Sequence, residues 1–413
     1  MDRRYFLTAG FAAAATAAPD GPPTPAPPPE PAVASGDDGF EAWKAAFIAK
    51  ARAREVPAEL LERELKDLRP DPKVLVQDVG QPELSKPFGD YIRATVSEER
   101  IGQGRNYRTQ FDWWPAIETR FGVPRDILIG IWAMESAYGA IQGDFDVVQA
   151  VATLAANGRR RDWAESQLFA ALRILATMPI PREKLKGSWA GAMGQTQFIP
   201  ETYLTTAIDA DGDGARDIWG SSEDALASAA NLLRKEGWQA GQGWHREVTL
   251  PAGFDYALAE GPRQPFAAWS ALGVRTADRR EMAEVDAPLP AGLIIPQGWK
   301  GPAFLVLPNH FVIRRYNNST AYALAVGLLA DRIGGAGPLA AAWPEEGPLT
   351  LADRKGAQEA LAKLGFNPGA ADGVIGTNSR AQLRLWQKAK ALPADGHLTP
   401  ELAKRLIDEA AGV

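Results

Sequence analysis

The 413-residue sequence contains no cysteine and only three histidines. Without cysteine, the chain can form no disulfide, thiol nucleophile or iron–sulfur cluster. The histidines, His245, His310 and His397, lie far apart in the sequence, so a multi-histidine metal centre is not expected. Forty-five Lys and Arg against 51 Asp and Glu give a net charge of −6, which argues against electrostatic binding of nucleic acid. The remaining chemical groups are carboxylates, hydroxyls, amides, guanidiniums and 13 tryptophans.

Long apolar runs are also missing, so no integral membrane segment is expected once a leader has been removed. Arg3-Arg4 precede a short, alanine-rich run with the small residues Ala15-Thr16-Ala17 near its end. This pattern predicts a signal peptide of the twin-arginine type over 1–18, and hence export to the periplasm; the alternative is a disordered, alanine-rich N-terminus. Eight of the thirteen residues from Pro19 to Pro31 are proline, which predicts an extended linker over 19–39.

The remaining sequence predicts an α+β protein that is mainly α. Phe40, Trp43, Phe47 and Ile48 repeat at three- and four-residue steps and predict a helix from Phe40 to Leu68. Short β-prone runs alternate with Pro/Gly turns over 246–313, which indicates a small strand-rich insert, and a helix follows from Ser319 to Ile333. A Gly/Ala/Pro-rich linker over 335–350 separates a domain over 40–334 from a small C-terminal module over 351–410.

One carboxylate stands alone in an apolar helix. Glu135 is the only charged residue between Ile127 and Gly143, in a helix predicted over 124–140. It follows Trp132 by three residues and Leu128 by seven, so it shares their helical face. Burial raises the pKa of a carboxyl group and keeps it protonated near neutrality, as a general acid requires. Alternatively, Glu135 pairs with an arginine or reaches solvent.

A second candidate segment is the glycine-rich stretch Gly187–Pro200. No Gly-Lys-Ser/Thr follows its glycines, so nucleotide binding is not indicated. Small residues allow a polymer to approach the backbone closely, and hydroxyl, amide and aromatic groups suit a sugar chain. The groups in question belong to Ser188, Trp189, Gln195, Gln197 and Phe198. The structural alternative is a tight turn between helices.

Three motifs occur here in the order of a known family. Glu135-Ser136, Gly191–Pro200 and Arg315–Ser319 together make the region 40–334 resemble the MltB-type lytic murein transglycosylases. The resemblance implies a lysozyme-like catalytic domain that cleaves the β-1,4 bond between N-acetylmuramic acid and N-acetylglucosamine. The resemblance further implies that one glutamate, Glu135, protonates the glycosidic oxygen and then removes the proton of the 6-hydroxyl. The product carries 1,6-anhydromuramic acid, and no water is consumed.

The resemblance also implies substrate contacts. The matching residues are Ser188, Gln197, Phe198, Arg160, Arg161, Tyr316 and Asn317. Two positions depart from the family pattern: Asn231-Leu232 stands where Asn-Tyr is frequent, and Gln195 stands where some members have tyrosine.

An acidic loop suggests calcium. Asp209, Asp211 and Asp213 occupy positions 1, 3 and 5 of an EF-hand-like loop, with Gly214 at position 6. Position 12 is Gly220 rather than glutamate, and Glu223 resembles the ligand of a longer loop variant in this family. We expect a structural calcium ion held by these four carboxylates and no cofactor required for chemistry. The alternative is an Asp/Gly turn that binds nothing.

The C-terminal module resembles a three-helix peptidoglycan-binding domain. Asp372-Gly373 predicts a turn, Thr377 is expected to cap the next helix, and Asp395–Thr399 repeats the same pattern. The expected partner is therefore the peptidoglycan glycan strand, and the sequence predicts no particular protein partner.

Two other functions remain open at the level of sequence. A hydrolytic muramidase would cleave the same bond with water, but it needs a second carboxylate or a positioned water. Asp144 and Asp146 are the nearest carboxylates, and both are expected beyond the end of the helix that carries Glu135. A non-catalytic scaffold would need only the C-terminal module.

Overall fold

The computed structural model describes residues 37–79, 87–277 and 289–412. The signal peptide expected over 1–18 lies outside the described residues, as does nearly all of the linker expected over 19–39. None of the helices in the described ranges is long and apolar enough to cross a membrane.

Helices dominate the described chain. In chain order they are α1 (Asp37–Ala53), α2 (Ala58–Leu65), α3 (Pro72–Val79), α4 (Phe88–Thr95), α5 (Glu98–Gln110), α6 (Trp114–Phe121), α7 (Arg125–Ser136), α8 (Val147–Asn157), α9 (Arg161–Thr177), α10 (Pro200–Thr206), α11 (Ser222–Lys235), α12 (Phe266–Ala271), α13 (Pro308–Tyr316), α14 (Thr320–Ile333), α15 (Leu351–Lys363), α16 (Thr377–Ala389) and α17 (Pro400–Ala411). The strands are β1 (Phe145–Asp146), β2 (Lys186–Gly187), β3 (His245–Thr249), β4 (Gln264–Pro265), β5 (Arg275–Thr276), β6 (Pro290–Ile294) and β7 (Ala303–Val306). This composition confirms the expected α+β, mainly α class.

The helix predicted from Phe40 to Leu68 is in fact two helices. The apolar face was predicted correctly, because Phe40, Trp43 and Phe47 are all buried. However, α1 ends at Ala53 and α2 begins only at Ala58, directly after Pro57. A proline disfavours helical geometry in the residue before it and cannot donate a backbone hydrogen bond, so the helix breaks there.

The chain divides into two compact units. The first comprises the described residues among 37–79, together with 107–236 and 315–318. Within it α8 packs against α9, α9 packs against α10, and α11 packs against α6 and α7. A short antiparallel ladder joins β1 to β2, with Phe145 opposite Gly187 and Asp146 opposite Lys186. All the site residues suggested by the sequence lie in this unit.

The second unit contains the strand-rich insert that the sequence predicts. Its antiparallel sheet has the strand order β4-β6-β7-β3-β5. β7 is the central strand, and β3 lies between β7 and β5, with His245 opposite Val306 and Val248 opposite Thr276. The sheet and α12 enclose a core of their own, formed by Val248, Phe254, Phe266, Trp269, Val274, Ala291, Leu293, Ala303, Leu305 and Leu307.

The C-terminal three-helix module belongs to the second unit as well. Helices α15, α16 and α17 share a core that includes Leu361, Leu383 and Trp386. Thr399 caps α17 as expected, because its side chain accepts from Leu402 N. The expectation for Thr377 is wrong: Gly376 takes the N-cap position, and Thr377 is already the first helical residue, so it makes no capping bond.

The module contacts the insert through ion pairs and a backbone hydrogen bond. Glu260 pairs with Arg380 and, at 2.7 Å, with Arg384. The buried Asp395 accepts a hydrogen bond from the backbone N–H of Trp299 at 3.0 Å. These contacts hold the module against the loops of the strand-rich insert.

Candidate active site

Helix α7 carries Glu135 at its C-terminal end. Pro124 precedes the helix in an extended conformation, where its missing N–H leaves no hydrogen bond unmade. The residues from Ile127 to Met134 are buried, whereas Glu135 is partly exposed. The preceding apolar turns therefore anchor the helix, and the carboxylate reaches the edge of the core.

The chain leaves α7 in an unusual conformation. Ala137, Tyr138 and Gly139 have φ angles of 48°, 62° and 84°, so three successive residues are left-handed. For the two non-glycine residues this conformation costs energy, and it persists only where the surroundings enforce it. Strain of this kind is concentrated at functional sites.

The glycine-rich segment folds into a compact loop. The Ser188 N–H donates to the Ala192 carbonyl at 2.7 Å, and Met193 exchanges two backbone hydrogen bonds with Phe198. Gly194 has a φ of 68°, and a Cβ there would lie 2.6 Å from the Ile218 carbonyl oxygen. Only glycine fits this position.

This loop is bonded to the end of α7. The Ser136 hydroxyl donates to the Gln195 carbonyl oxygen at 2.6 Å and accepts from the Gly139 N–H at 2.9 Å. The sequence motifs that contain Glu135 and Gln195 thus meet in space, although 60 residues separate them.

Tyr316 also belongs to this site. Its hydroxyl donates to the Thr196 carbonyl oxygen at 2.7 Å, and its ring lies 6.0 Å from that of Phe198. Burial raises the pKa of Tyr316 well above its usual value, and the negative charge of Glu135 raises it further. Tyr316 therefore stays protonated and lies close enough to Glu135 to interact electrostatically with its carboxylate. Its neighbour Asn317 is buried.

Ser188 and Gln197, the two polar loop residues suggested by the sequence, already form hydrogen bonds with backbone groups of the protein. The Ser188 hydroxyl accepts from the Ala192 N–H at 3.1 Å, and the side chain is largely buried. The Gln197 amide nitrogen donates to the Gln142 and Gly194 carbonyl oxygens at 3.0 and 2.9 Å. Its Oε1 is the side-chain atom suited to accept from a ligand.

The arginines suggested by sequence take different positions. The Arg160 guanidinium lies 4.8 Å from the centre of the Trp163 ring and 5.7 Å from that of Trp189, in the glycine-rich loop. It also pairs with Asp78, and burial lowers its pKa. Arg161 instead begins α9, and its Nε donates to the Ala155 carbonyl at 3.3 Å. Of the two, Arg160 is the one in contact with a loop of the candidate site.

The acidic loop brings three carboxylates together. One side-chain oxygen from each of Asp209, Asp211 and Asp213 lies within 4.8 Å of the others. Backbone N–H groups hold these side chains, for example Gly212 N on Asp209 at 2.7 Å. Converging oxygen ligands of this kind fit a calcium ion.

Asp224 organises this loop, which the sequence did not indicate. It is fully buried, and its carboxylate accepts from the backbone N–H groups of Ala210 and Asp217 at 2.7 and 2.8 Å. Its neighbour Glu223 falls outside the group of three converging carboxylates in the described chain. Burial raises the pKa of Glu223, and the charges of Asp211 and Asp224 add to this effect, so Glu223 lies near the loop.

Comparison with known proteins identifies the architecture. A family model described as "Transglycosylase SLT domain" matches residues 39–331, and one described as "Putative peptidoglycan binding domain" matches residues 350–406. The chain belongs to the SLT transglycosylase family. This membership confirms the resemblance seen in the sequence, the lysozyme-like fold and the nature of the C-terminal module.

Three relatives illustrate how far the likeness in this family extends. SltB3 from Pseudomonas aeruginosa, solved in complexes with NAG-anhNAM-pentapeptide and with NAG-NAM-pentapeptide, is 46% identical with a TM-score of 0.85; the match covers 89% of this chain and 99% of that one. The Escherichia coli lytic transglycosylase Slt35 in complex with calcium is 26% identical with a TM-score of 0.61, covering 70% and 92%. "Membrane-bound lytic murein transglycosylase B" of Escherichia coli K12 is 32% identical over 227 residues, or 52% of this chain. The match spans 58% of that curated relative's length.

Proposed function

We propose that this chain is a lytic murein transglycosylase. It cleaves the MurNAc-β-1,4-GlcNAc bond of peptidoglycan without water and leaves 1,6-anhydroMurNAc ends. The observation that carries this proposal is the position of Glu135, which lies at the end of a buried helix and close to Tyr316 and the glycine-rich loop. Membership of the SLT transglycosylase family and the substrate-like ligands of SltB3 support the same reaction.

One carboxylate suffices for the chemistry. Glu135 donates its proton to the glycosidic oxygen, and the bond between that oxygen and carbon 1 of MurNAc breaks. The acetamido group of the same sugar stabilises the cation. The ionised Glu135 then accepts the proton of the 6-hydroxyl, whose oxygen closes onto carbon 1. Atoms and charge balance, and Glu135 ends protonated as it began.

The alternative of a hydrolytic muramidase requires another carboxylate or a positioned water. Asp146 caps α8 and is bound by Arg182 at 2.8 Å, so its charge is already compensated. Asp144 is exposed. Neither placement favours a second catalytic carboxylate that acts as nucleophile or base, and this supports the transglycosylase over the hydrolase. A non-catalytic scaffold would not need the strained turn after Glu135.

The segments around Glu135 carry groups suited to sugars and stem peptides. In this proposal Ser188, Gln197 and Asn317 make polar contacts with the glycan. Phe198 forms a wall of the binding site, and Tyr316 contacts the substrate beside Glu135. Arg160 and Arg161 bind carboxylates or other polar groups of the substrate.

We further propose a structural calcium ion in the acidic loop. Asp209, Asp211 and Asp213 would be its ligands, with Glu223 completing the set. Calcium would hold the loop together and take no part in the reaction. The calcium complex of Slt35 supports this assignment. Calorimetric titration should show stoichiometric binding to the wild type and none to Asp211→Ala.

The location and organisation follow from the same proposal. The chain would be exported by a twin-arginine-type signal over 1–18 and act on the cell wall from the periplasm. A catalytic domain over 40–334 would be joined through 335–350 to the peptidoglycan-binding domain over 351–410. The latter would raise the local concentration of glycan strands at the site.

The proposal is tested by release of soluble fragments from dye-labelled sacculi. Wild type should release dye, and Glu135→Gln should release none while still sedimenting with sacculi. Asp144→Asn serves as a matched control, since it removes a nearby exposed carboxylate and should keep full activity. Undiminished release by Glu135→Gln would contradict the proposal.

A further inference from the structure

Three glutamines link the segments that surround Glu135. Gln142 lies just after the left-handed turn, and Gln195 and Gln197 lie in the glycine-rich loop. The amide nitrogens of Gln142 and Gln195 both donate to the carbonyl oxygen of Trp219, at 3.1 and 3.2 Å. The Gln142 amide nitrogen also donates to the Gly139 carbonyl at 3.1 Å. The network therefore connects α7, both loops and the C-terminal end of the acidic loop.

Gln195 is the member with the most contacts to α7. Its Oε1 accepts from the indole N–H of Trp132 at 3.0 Å, and its carbonyl oxygen accepts from Ser136 at 2.6 Å. Trp132 precedes Glu135 by three residues and Ser136 follows it by one. One residue of the loop thus holds α7 on both sides of Glu135.

The other atoms of Gln195 are fixed as well. Its N–H donates to the Ile218 carbonyl at 2.8 Å, and the Ser222 hydroxyl donates to its Oε1 at 3.3 Å. The residue is only 4% exposed. Each polar atom of this buried amide is already bound to protein, so we expect Gln195 to affect catalysis through its neighbours rather than by touching the substrate.

The contact with the strained turn points the same way. A Cβ at Gly139 would lie 2.8 Å from Oε1 of Gln195, so the turn closes directly onto this amide. The left-handed residues 137–139 follow Glu135 immediately. Gln195 therefore packs against the turn at which α7 ends.

We infer that Gln195 is a positioning residue that sets the orientation of Glu135 through Trp132 and Ser136. The inference rests on the proposed role of Glu135 as the acid and base. It assigns to Gln195 a function that depends on an amide, because one atom must accept from Trp132 while the other donates to Trp219. Methionine has a similar length, cannot donate and is only a weak acceptor.

The test compares Gln195→Met, Gln195→Glu and Gln167→Met. Gln167 is a matched control: it is fully buried, and its amide also bonds through both atoms, to Glu201, but on α9 and α10. The assay measures kcat and KM on soluble glycan fragments over a range of pH, with thermal unfolding recorded for each variant. Gln195→Met should lower kcat at least about tenfold with KM within about twofold, because the lost contacts orient the acid without binding substrate. Gln167→Met should lower the unfolding temperature comparably and leave kcat unchanged.

Gln195→Glu supplies a readout that a purely structural role would not produce. A protonated carboxyl can accept from Trp132 and donate to Trp219 as the amide does, whereas an ionised one cannot donate. The ratio of its kcat to that of wild type should approach one at acid pH. This ratio should fall about tenfold or more as the introduced carboxyl ionises. This conservative variant should thus be rescued by protons.

Three results would overturn the inference while leaving the proposed function intact. These are a kcat of Gln195→Met within twofold of wild type, a loss of kcat matched by Gln167→Met, and a change confined to KM. Failure of the proposed function is recognised separately, because wild type would then release no product or Glu135→Gln would be as active as wild type.

Discussion

Replacing Tyr316 with phenylalanine removes one hydroxyl from the site and leaves the ring. The hydroxyl donates to the Thr196 carbonyl at 2.7 Å, and both residues are buried. Its loss leaves a buried acceptor with one donor fewer, which should lower the free energy of unfolding by about 1–2 kcal/mol. Thr196 lies between Gln195, which binds α7, and Gln197. A shift of this carbonyl should therefore disturb Glu135.

The catalytic effect can be separated from the loss of stability. If the loss of the hydrogen bond destabilises the transition state alone, an increase of about 1.4 kcal/mol in the activation free energy lowers kcat tenfold. Tyr203→Phe is the matched control, because Tyr203 is also buried and its hydroxyl donates to a backbone carbonyl, that of Arg216, at 2.9 Å. Both variants should lose similar stability in urea unfolding, and only Tyr316→Phe should lose kcat.

The pH dependence supplies the decisive detail. Because the pKa of Tyr316 is raised well above its usual value, the hydroxyl keeps its proton throughout the assay range. A fall of kcat at alkaline pH would therefore come from another group, and its midpoint should be the same in Tyr316→Phe. A loss of that alkaline fall, or equal kcat losses in the two tyrosine variants, would refute the reasoning.

Three further predictions concern the rest of the chain. Burial lowers the pKa of both His245 and His310 to about 3, so the unfolded chain binds more protons and stability falls as pH drops below about 6.5. The free energy of unfolding in urea should therefore differ between pH 7 and pH 5 by roughly 1–2 kcal/mol per histidine. His310→Gln should reduce this difference. Asp224→Ala removes the carboxylate that orders the acidic loop and should weaken calcium binding at least about tenfold in calorimetric titration, whereas unchanged affinity would contradict the assigned role. Arg384→Met removes an ion pair with Glu260 that holds the C-terminal module, so a protease should cleave within 335–350 faster than in wild type. Added salt should speed this cleavage less in the variant than in wild type, because the pair that salt screens is present only in wild type.

Local patterns predicted the elements that depend on local sequence. An isolated carboxylate in an apolar run identified the helix that carries Glu135, and turn residues followed by Thr399 identified α17. The spacing of apolar residues does not reveal the interruption before α2, which begins directly after Pro57. In the structure the local backbone restriction prevails over that periodicity.

The contacts that complete the site could not be predicted in the same way. Nothing near Asp224 in the sequence indicates that it holds the backbone of Ala210, and nothing near Gln195 indicates that it reaches Trp132. Both contacts join segments that are distant in sequence, and an amide or carboxylate looks the same whether it faces solvent or a backbone N–H. Such residues become visible only once the fold brings the segments together.

The most direct test of the central claim is the chemical nature of the ends that the enzyme makes. Purified sacculi are digested by wild type in oxygen-labelled water, and the released muropeptides are analysed by mass spectrometry, with Glu135→Gln as the control. We expect 1,6-anhydroMurNAc ends without label from wild type and no new ends from the variant. Reducing ends that are heavier by one labelled water would contradict the proposal, because they would mean that water, and not the 6-hydroxyl, attacks carbon 1.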